Sequence, residues 1–405
     1  MMQLGTRSGG PLTVALVCST DKLDTAAAAF EVEMLRAALA TPAAHRFIVY
    51  PDTRATRALV RDAGMIERVA FVKAVKKPRL PRRFWRRAKR IVRRRAAPQP
   101  FAALNDALVE AGASCAWFLG NAIAPIDLPY VAHIGDLRHR LHPWFPESSS
   151  NGPWRERERR HEEFVRRASV LLAGSKPAAD AMNAAYGTLA GGAVVLPSPT
   201  PAYAIEASWR SRGMRPSDVP SRYLLYVAPF VAHSNHVTAV RVIAALEAGA
   251  APPGLLLVGA DEGTMAHVMA EAERLGVAGR VRIFGEVDSD RLVSLYEHAE
   301  ALLHPSLFDA HDQSPRAAMA LGCPVIAARA LGTEEQLAGC GTIVEPFDVV
   351  GYAAAVRTLR HDPGARTAMV ERGMEVAREW SPAQYAAAVL DLIESRIAPM
   401  RALWK

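Results

Sequence analysis

The chain has 405 residues, half of them apolar, and carries 49 Lys and Arg against 41 Asp and Glu, for a net charge of +8 at pH 7. That length suits about two domains with sizeable cores, and no run of 18 or more apolar residues offers a membrane span. Cys18, Cys115, Cys323 and Cys340 show no CxxC or Cys/His spacing, so a zinc site is not expected and buried thiols in a reducing cytosol are.

Strand-like apolar runs alternate with helix-like stretches, the pattern of parallel sheets in an α/β protein. In the first half strands are expected at Leu12 to Cys18, Arg46 to Tyr50, Val69 to Val72, Ala116 to Leu119, Tyr130 to Ile134, Val170 to Ala173 and Val194 to Leu196. The amino end has a short apolar segment without a small-residue cleavage site, so secretion is not expected. After the third strand, residues 73–95 hold thirteen Lys and Arg and no acid, which leaves a net charge of −5 on the rest of the chain. Within this segment Phe84, Trp85, Ala88, Ile91 and Val92 fall near one helical face, ringed by Arg82, Arg83, Arg86, Arg87, Lys89 and Arg90. A helix lying on an anionic membrane surface has this composition, each nearby cation contributing about 1 kcal/mol. A solvated helix packed by its Phe/Trp face and a nucleic-acid contact are the other readings; no zinc-finger or RRM frame supports the last.

Residues 197–222 are rich in Pro and Ser and short of periodic apolar residues, which marks an interdomain linker. Beyond it strands are expected at Tyr223 to Val227, Leu255 to Val258, Val281 to Phe284, Ala301 to His304, Val325 to Ala327 and Thr342 to Val344. The last helix, from about Pro382 to Ser395, carries Tyr385, Val389 and Ile393 at a spacing of four, a core-facing stripe. The chain therefore divides into a first domain over 1–197, a linker over 198–222 and a second domain over 223–379.

Two stretches carry chemistry. Residues 304–326, HPSLFDAHDQSPRAAMALGCPVI, run strand end, loop, helix, strand; residues 133–175 begin HIGDLRHRLHPWFPE and continue into a charged helix and AGS. Pro305, Ser306, Leu307, Phe308, Ala318, Met319, Ala320, Gly322, Pro324 and Val325, together with Asp136, Leu137, His139, Arg140, Pro143, Trp144, Phe145, Pro146 and Glu147, resemble the retaining glycosyltransferases of family 4. The family has the GT-B architecture, two Rossmann-like domains with parallel sheets facing across a cleft.

The resemblance implies a nucleotide-sugar donor bound mainly by the second domain, with retention and no metal or other cofactor. The sugar would lie near Asp309, and the phosphates near Ala310, His311, Asp312, Gln313, Ser314 and Arg316. His236 in the turn after the first strand of that domain, and Gly259 and Gly285 after later strands, are further donor-side candidates. For the glycines a sharp strand-to-helix turn is the alternative role. Asp136 and His139 become acceptor-side or donor-sugar candidates, or else a structural hydrogen-bonded pair. The acceptor would be a lipid-linked or polysaccharide glycan, and the protein cytoplasmic, peripheral on the inner membrane face. In the family the terminal helices cross back to the first domain, so residues 380–405 would complete it.

The chain departs from the family at telling places. Ala317 stands where a second acid contacts the ribose, both loop glycines are replaced, and Ser234 stands where relatives carry a Lys. A catalytically silent subunit that binds or regulates an active partner is therefore the alternative. Other chemistry has no support: there is no P-loop, no Gly-x-Ser-x-Gly elbow and no GxGxxG after the first strand.

Overall fold

A computed structural model of the chain describes residues 11–19, 28–74, 102–120, 124–134, 137–149, 154–187, 192–246, 252–308 and 313–402. Among them thirteen strands form, each ending within one residue of its expected bounds. The first seven are β1 Thr13–Val17, β2 Arg46–Tyr50, β3 Val69–Phe71, β4 Cys115–Phe118, β5 Tyr130–His133, β6 Val170–Ala173 and β7 Val194–Val195. The other six are β8 Tyr223–Val227, β9 Gly254–Val258, β10 Val281–Gly285, β11 Ala301–His304, β12 Val325–Ala328 and β13 Thr342–Val344.

The strands build two sheets, ordered β3-β2-β1-β4-β5-β6-β7 and β10-β9-β8-β11-β12-β13, and the paired strands run parallel. Parallel sheets are covered by helices on both faces, so their strands read as unbroken apolar runs. Leu255, Leu256 and Leu257 of β9 are fully buried, as are Leu224, Leu225 and Tyr226 of β8. The fold is thus α/β with two Rossmann-like domains. All four cysteines are buried thiols.

Each sheet reverses its order once, between β1 and β4 in the first domain and between β8 and β11 in the second. Open parallel sheets bind ligands at the carboxyl ends of their strands at such switch points. The segments after β8 and β11 carry His233 and Gln313, which reach the first domain.

The final helix, Pro382–Leu392, opens with a reciprocal Ser381/Gln384 capping box and a Pro in its first turn. Tyr385, Val389, Ile393 and Ile397 are buried in the first domain's core against Met34, Leu35 and Ala38 of the helix Ala29–Ala40. Burying Val389 or Ile393 contributes at most about 1.5–3 kcal/mol each. The chain enters and leaves the second domain side by side: Thr200 N–H donates to the Trp380 carbonyl at 2.9 Å, and Trp380 Nε1 to the Pro197 carbonyl at 2.8 Å.

The stretch between the domains is not featureless. Residues Ala202–Ser208 form a helix whose Ala204 and Ala207 join the second domain's core. Two small residues at i, i+3 give too faint an apolar stripe to stand out in sequence.

Candidate active-site cleft

In the second domain the floor of the site is set by backbone. Gly259 follows β9 at φ +153°, and a Cβ there would run into the Ala228 carbonyl beyond β8, so the two strand ends touch because the residue has no side chain. Its N–H donates to the Gly285 carbonyl at 2.8 Å. At Gly285, φ +63°, a Cβ would meet nothing within 4 Å, so the constraint there is conformational alone.

After β8 the chain makes a 3-10 turn, Ala232–Ser234, and Asn235 takes a left-handed conformation at φ +55° before the helix His236–Ala245. Asn235 Nδ2 donates to the carbonyls of Pro305 at 3.0 Å and Pro346 at 3.1 Å, and Leu307 N–H donates to the His233 carbonyl at 2.8 Å. These bonds tie the loop after β8 to the loop after β11 across the switch point. Ser234 is buried, and its carbonyl accepts from the Tyr226 hydroxyl.

His236 lies beneath this turn, 2% exposed. Its ring stacks on Phe230 with centroids 4.3 Å apart and lies 4.6 Å from Tyr226. Burial pushes its pKa down to about 3. It is a neutral core imidazole at physiological pH. His304, at the end of β11, is also buried, edge-on to Tyr226 at 5.6 Å.

The helix Ser314–Ala320 opens with Pro315 in its first turn. Ser314 Oγ donates to the Val227 carbonyl at 3.3 Å, which anchors the helix start to the end of β8. Ala317 is fully buried within the apolar core of the second domain. Arg316, on the same turn, is 6% exposed and lines the interface between the domains.

The first domain answers with acids. Glu31, on the helix after β1, is buried beside Gly120 beyond β4, so close that a Cβ on the glycine would meet its carboxylate. It accepts from Ser19 N–H at 2.8 Å and from the Ser19 hydroxyl. Burial raises its pKa, and the two Ser19 bonds only partly oppose the rise. A buried carboxyl with a raised pKa at the switch point of a parallel sheet is a functional-site candidate.

Polar side chains join the domains. Glu147 Oε1 accepts from His233 N–H at 2.9 Å and contacts His233 Nδ1 at 2.5 Å, while Arg138 approaches the same ring at 2.8–2.9 Å. Burial pushes the Glu147 carboxyl up, but hydrogen bonds from its own backbone and from the His233 ring and N–H outweigh it and hold it below the usual range. Gln313 Nε2 donates to Glu33 Oε2 at 3.2 Å and to the Pro199 carbonyl at 3.0 Å. Burial raises the Glu33 pKa. Glu335 accepts from Lys176 N–H at 2.8 Å. At the rim, His142 meets Phe308 edge-on at 5.4 Å, and Trp144 is 69% exposed.

Of the residues expected at the site, Gly259, Gly285, Gln313, Ser314 and Arg316 gather at strand ends or at the domain interface, while His236 is packed inside. His139 is buried in the first domain, its Nε2 2.9 Å from Glu158, and Arg140 pairs with the same carboxylate. Asp136, Asp309, Ala310, His311 and Asp312 lie outside the described residues, as do Arg82, Arg83, Trp85, Arg86, Arg87, Lys89 and Arg90. Sequence reasoning passed over Glu31, although an acid in the stripe of Met34, Leu35 and Ala38 is a visible signal. It also missed Glu33 and the pairing of Arg138 and Glu147 with His233, which bring together residues nearly a hundred positions apart. Among the described residues no helix is long and apolar enough to cross a membrane, and no group of three or more His, Cys, Asp or Glu could hold a metal ion.

Comparison with known proteins agrees with this geometry. Residues 208–376 match the family model Glycosyl transferases group 1. A D-inositol 3-phosphate glycosyltransferase of Catenulispora acidiphila is 34% identical over 139 residues, 34% of this chain and 33% of that protein. A glycogen synthase of Mycobacterium tuberculosis is 30% identical over 162 residues, 39% of this chain and 38% of that protein. The chain thus spans little more than a third of the length of these curated relatives. Among solved structures, sucrose-phosphate synthase of Thermosynechococcus elongatus superposes with a TM-score of 0.67 at 18% identity, over 96% of this chain and all of that one. Anabaena HepE, solved with UDP and glucose, gives a TM-score of 0.67 at 16% identity, over 95% of this chain and all of that one. These structural likenesses concern the fold. The second domain is thus similar to glycosyl transferases group 1 over residues 208–376, within a GT-B architecture of two facing parallel-sheet domains.

Proposed function

We propose that the protein transfers a sugar from a nucleotide-sugar donor, with retention, to a lipid-linked or polysaccharide glycan. The observation that carries this reading is the facing of the two switch points across a cleft bridged by Glu147 to His233 and Gln313 to Glu33. The second domain sets Arg316 at the interface, where a cation suits a diphosphate. The first holds Glu31, a buried carboxyl whose pKa burial raises, where it would position an acceptor hydroxyl. Exposed Trp144 at the rim offers a flat apolar face for a glycan ring.

The donor phosphates would rest on the helix start at Gln313 and Ser314, with Asp309 by the sugar. Attack would come from the front face, with the leaving phosphate taking the acceptor's proton, so no protein nucleophile is required. Residues 76–95 would hold the protein on an anionic inner membrane face. Titration of nucleotide sugars by calorimetry, followed by mass spectrometry with glycan acceptors, tests the reading. A folded protein that gives heat with some donor and a product one sugar heavier supports it; no heat with any donor sinks it.

A silent GT-B subunit is the second reading. It is favoured by Ala317, whose methyl is buried in apolar core and offers the ribose no hydrogen bond, and by Ser234, whose short buried side chain supplies no cation. Heat without product, together with stimulation of an active transferase, identifies that case.

A further inference from the structure

At the amino-terminal edge of the second sheet lies a cavity of about 190 Å³. Arg222 stands just before β8 and Glu300 just before β11, so the cavity is at the far end of the two strands whose carboxyl ends lead to His233 and Gln313. β8 alone spans five residues, roughly 16 Å. Leu224, Ala301, Val356 and Leu359 give the cavity an apolar lining, and Arg222, Arg360, Arg366 and Glu300 supply its charge. Its volume is below that of sites that enclose a whole small molecule, and suits one phosphate-sized group.

One carboxylate serves three guanidiniums there. Glu300 accepts from Arg222 Nε at one oxygen, and at the other from Arg360 Nε at 3.1 Å and Nη2 at 2.7 Å. Arg366 Nη1 reaches only the Glu300 carbonyl, and among the described residues Arg366 has no carboxylate partner. Asp362, one turn earlier, is occupied as a helix cap by the Ala365 N–H at 2.8 Å. Three cations less one carboxylate leave the lining with a surplus of two positive charges. Arg280 adds to the excess nearby: it donates to the carbonyls of Pro253 and Leu246 at 3.2–3.4 Å, and burial, then Arg360, lower its pKa.

The surplus faces a partly dry space. Arg360 and Glu300 are only 21% and 20% exposed, and the apolar lining limits screening. The outer nitrogens of Arg222, and Nε and Nη2 of Arg366, make no hydrogen bond among the described residues. Forked guanidinium donors match the oxygens of a phosphate. A phosphate monoester carries about −1.5 to −2 at pH 7, which balances the surplus, whereas a diester carries less.

We propose that Arg222, Arg360 and Arg366 form a binding site for a phosphate monoester or free phosphate, at the end of the second domain remote from its switch point. Arg366 and the outer nitrogens of Arg222 grip the phosphate oxygens, and Glu300 holds Arg222 and Arg360 in place. The site does not depend on the sugar-transfer reading.

Calorimetry on the full chain at low salt, with inorganic phosphate and glycerol 3-phosphate as probes, tests it. At least one probe should give saturable heat with wild type and bind Arg366→Gln about five- to tenfold more weakly, since one charge-assisted pair is lost. That substitution leaves the Glu300 carboxylate paired with Arg222 and Arg360. If it does not fold, Arg222→Gln, altering a side chain 39% exposed, should show the same loss. Glycerol 3-phosphate binding more tightly than phosphate assigns the site to a monoester; the reverse assigns it to the free anion. Unchanged affinity in the folded variant overturns the proposal, as does the absence of saturable heat with both probes in wild type. Co-sedimentation with phosphatidylglycerol vesicles that these substitutions abolish, with no heat from either probe, overturns it in favour of a membrane contact.

Discussion

The two switch points use the same device to different ends. At each, a residue beyond a central strand must be glycine because something occupies the space of its side chain. In the first domain that something is the Glu31 carboxylate against Gly120; in the second it is the Ala228 carbonyl against Gly259. The first sheet therefore brings a buried acid to its carboxyl edge, and the second brings strand ends together and sets a buried arginine at the interface. In the proposed reaction an anionic donor would be repelled by the first edge and held by the second, which would put the two substrates on opposite walls.

Substitutions can break this contrast at either wall, and the largest effect belongs to the backbone-limited one. Gly259→Ala forces a methyl into a carbonyl that cannot swing away, and should cost about 3–4 kcal/mol in denaturant unfolding. Gly285→Ala meets open space and should cost only about 1–2 kcal/mol. Equal losses at the two sites would show that Gly259 is not a contact point.

Glu147→Ala removes the acid that grips His233 and should loosen the domains by about 1.5–3 kcal/mol, seen as a larger radius of gyration in small-angle scattering. Because the folded carboxyl is held below its usual pKa, the contact is intact above about pH 4.5 and is lost as pH falls through the folded value. A radius unchanged by the substitution would deny Glu147 a bridging role.

His236 sharpens the second wall. Its pKa drops from 6.5 unfolded to about 3 folded, so between those values the unfolded chain binds more protons and stability falls as the medium is acidified. The slope attributable to this residue is about 1.4 kcal/mol per pH unit within that window. Comparing unfolding of wild type and His236→Phe from about pH 7 to pH 5 isolates it, and parallel curves would contradict its burial as a neutral ring beside His304 and His233.

The smallest effect is at the acid wall. Glu31→Gln should stabilise the fold at pH 7 by about 1 kcal/mol, since the raised folded pKa means that ionisation above the carboxylate range works against folding. The gain should vanish near about pH 4, where both side chains are neutral. Activity should fall in the same variant if Glu31 serves the acceptor, which turns the stability gain into evidence of a functional acid.

The expected strands were legible because a strand covered on both faces must be apolar along its whole length, and thirteen such runs stand out from their polar connections. The final helix was legible in its stripe of Tyr385, Val389 and Ile393, and the frame around Met319 and Gly322 pointed to the architecture. Sequence alone therefore determined the two sheets, the strand bounds and the class of scaffold, since these depend on local periodicity. Only the tertiary structure decided that His236 and His139 turn inward, that Glu147 reaches His233 86 residues away, and that Arg316 is buried without a counterion among the described residues. Those outcomes depend on which surfaces meet when two domains pack, and no local pattern records a contact between distant loops.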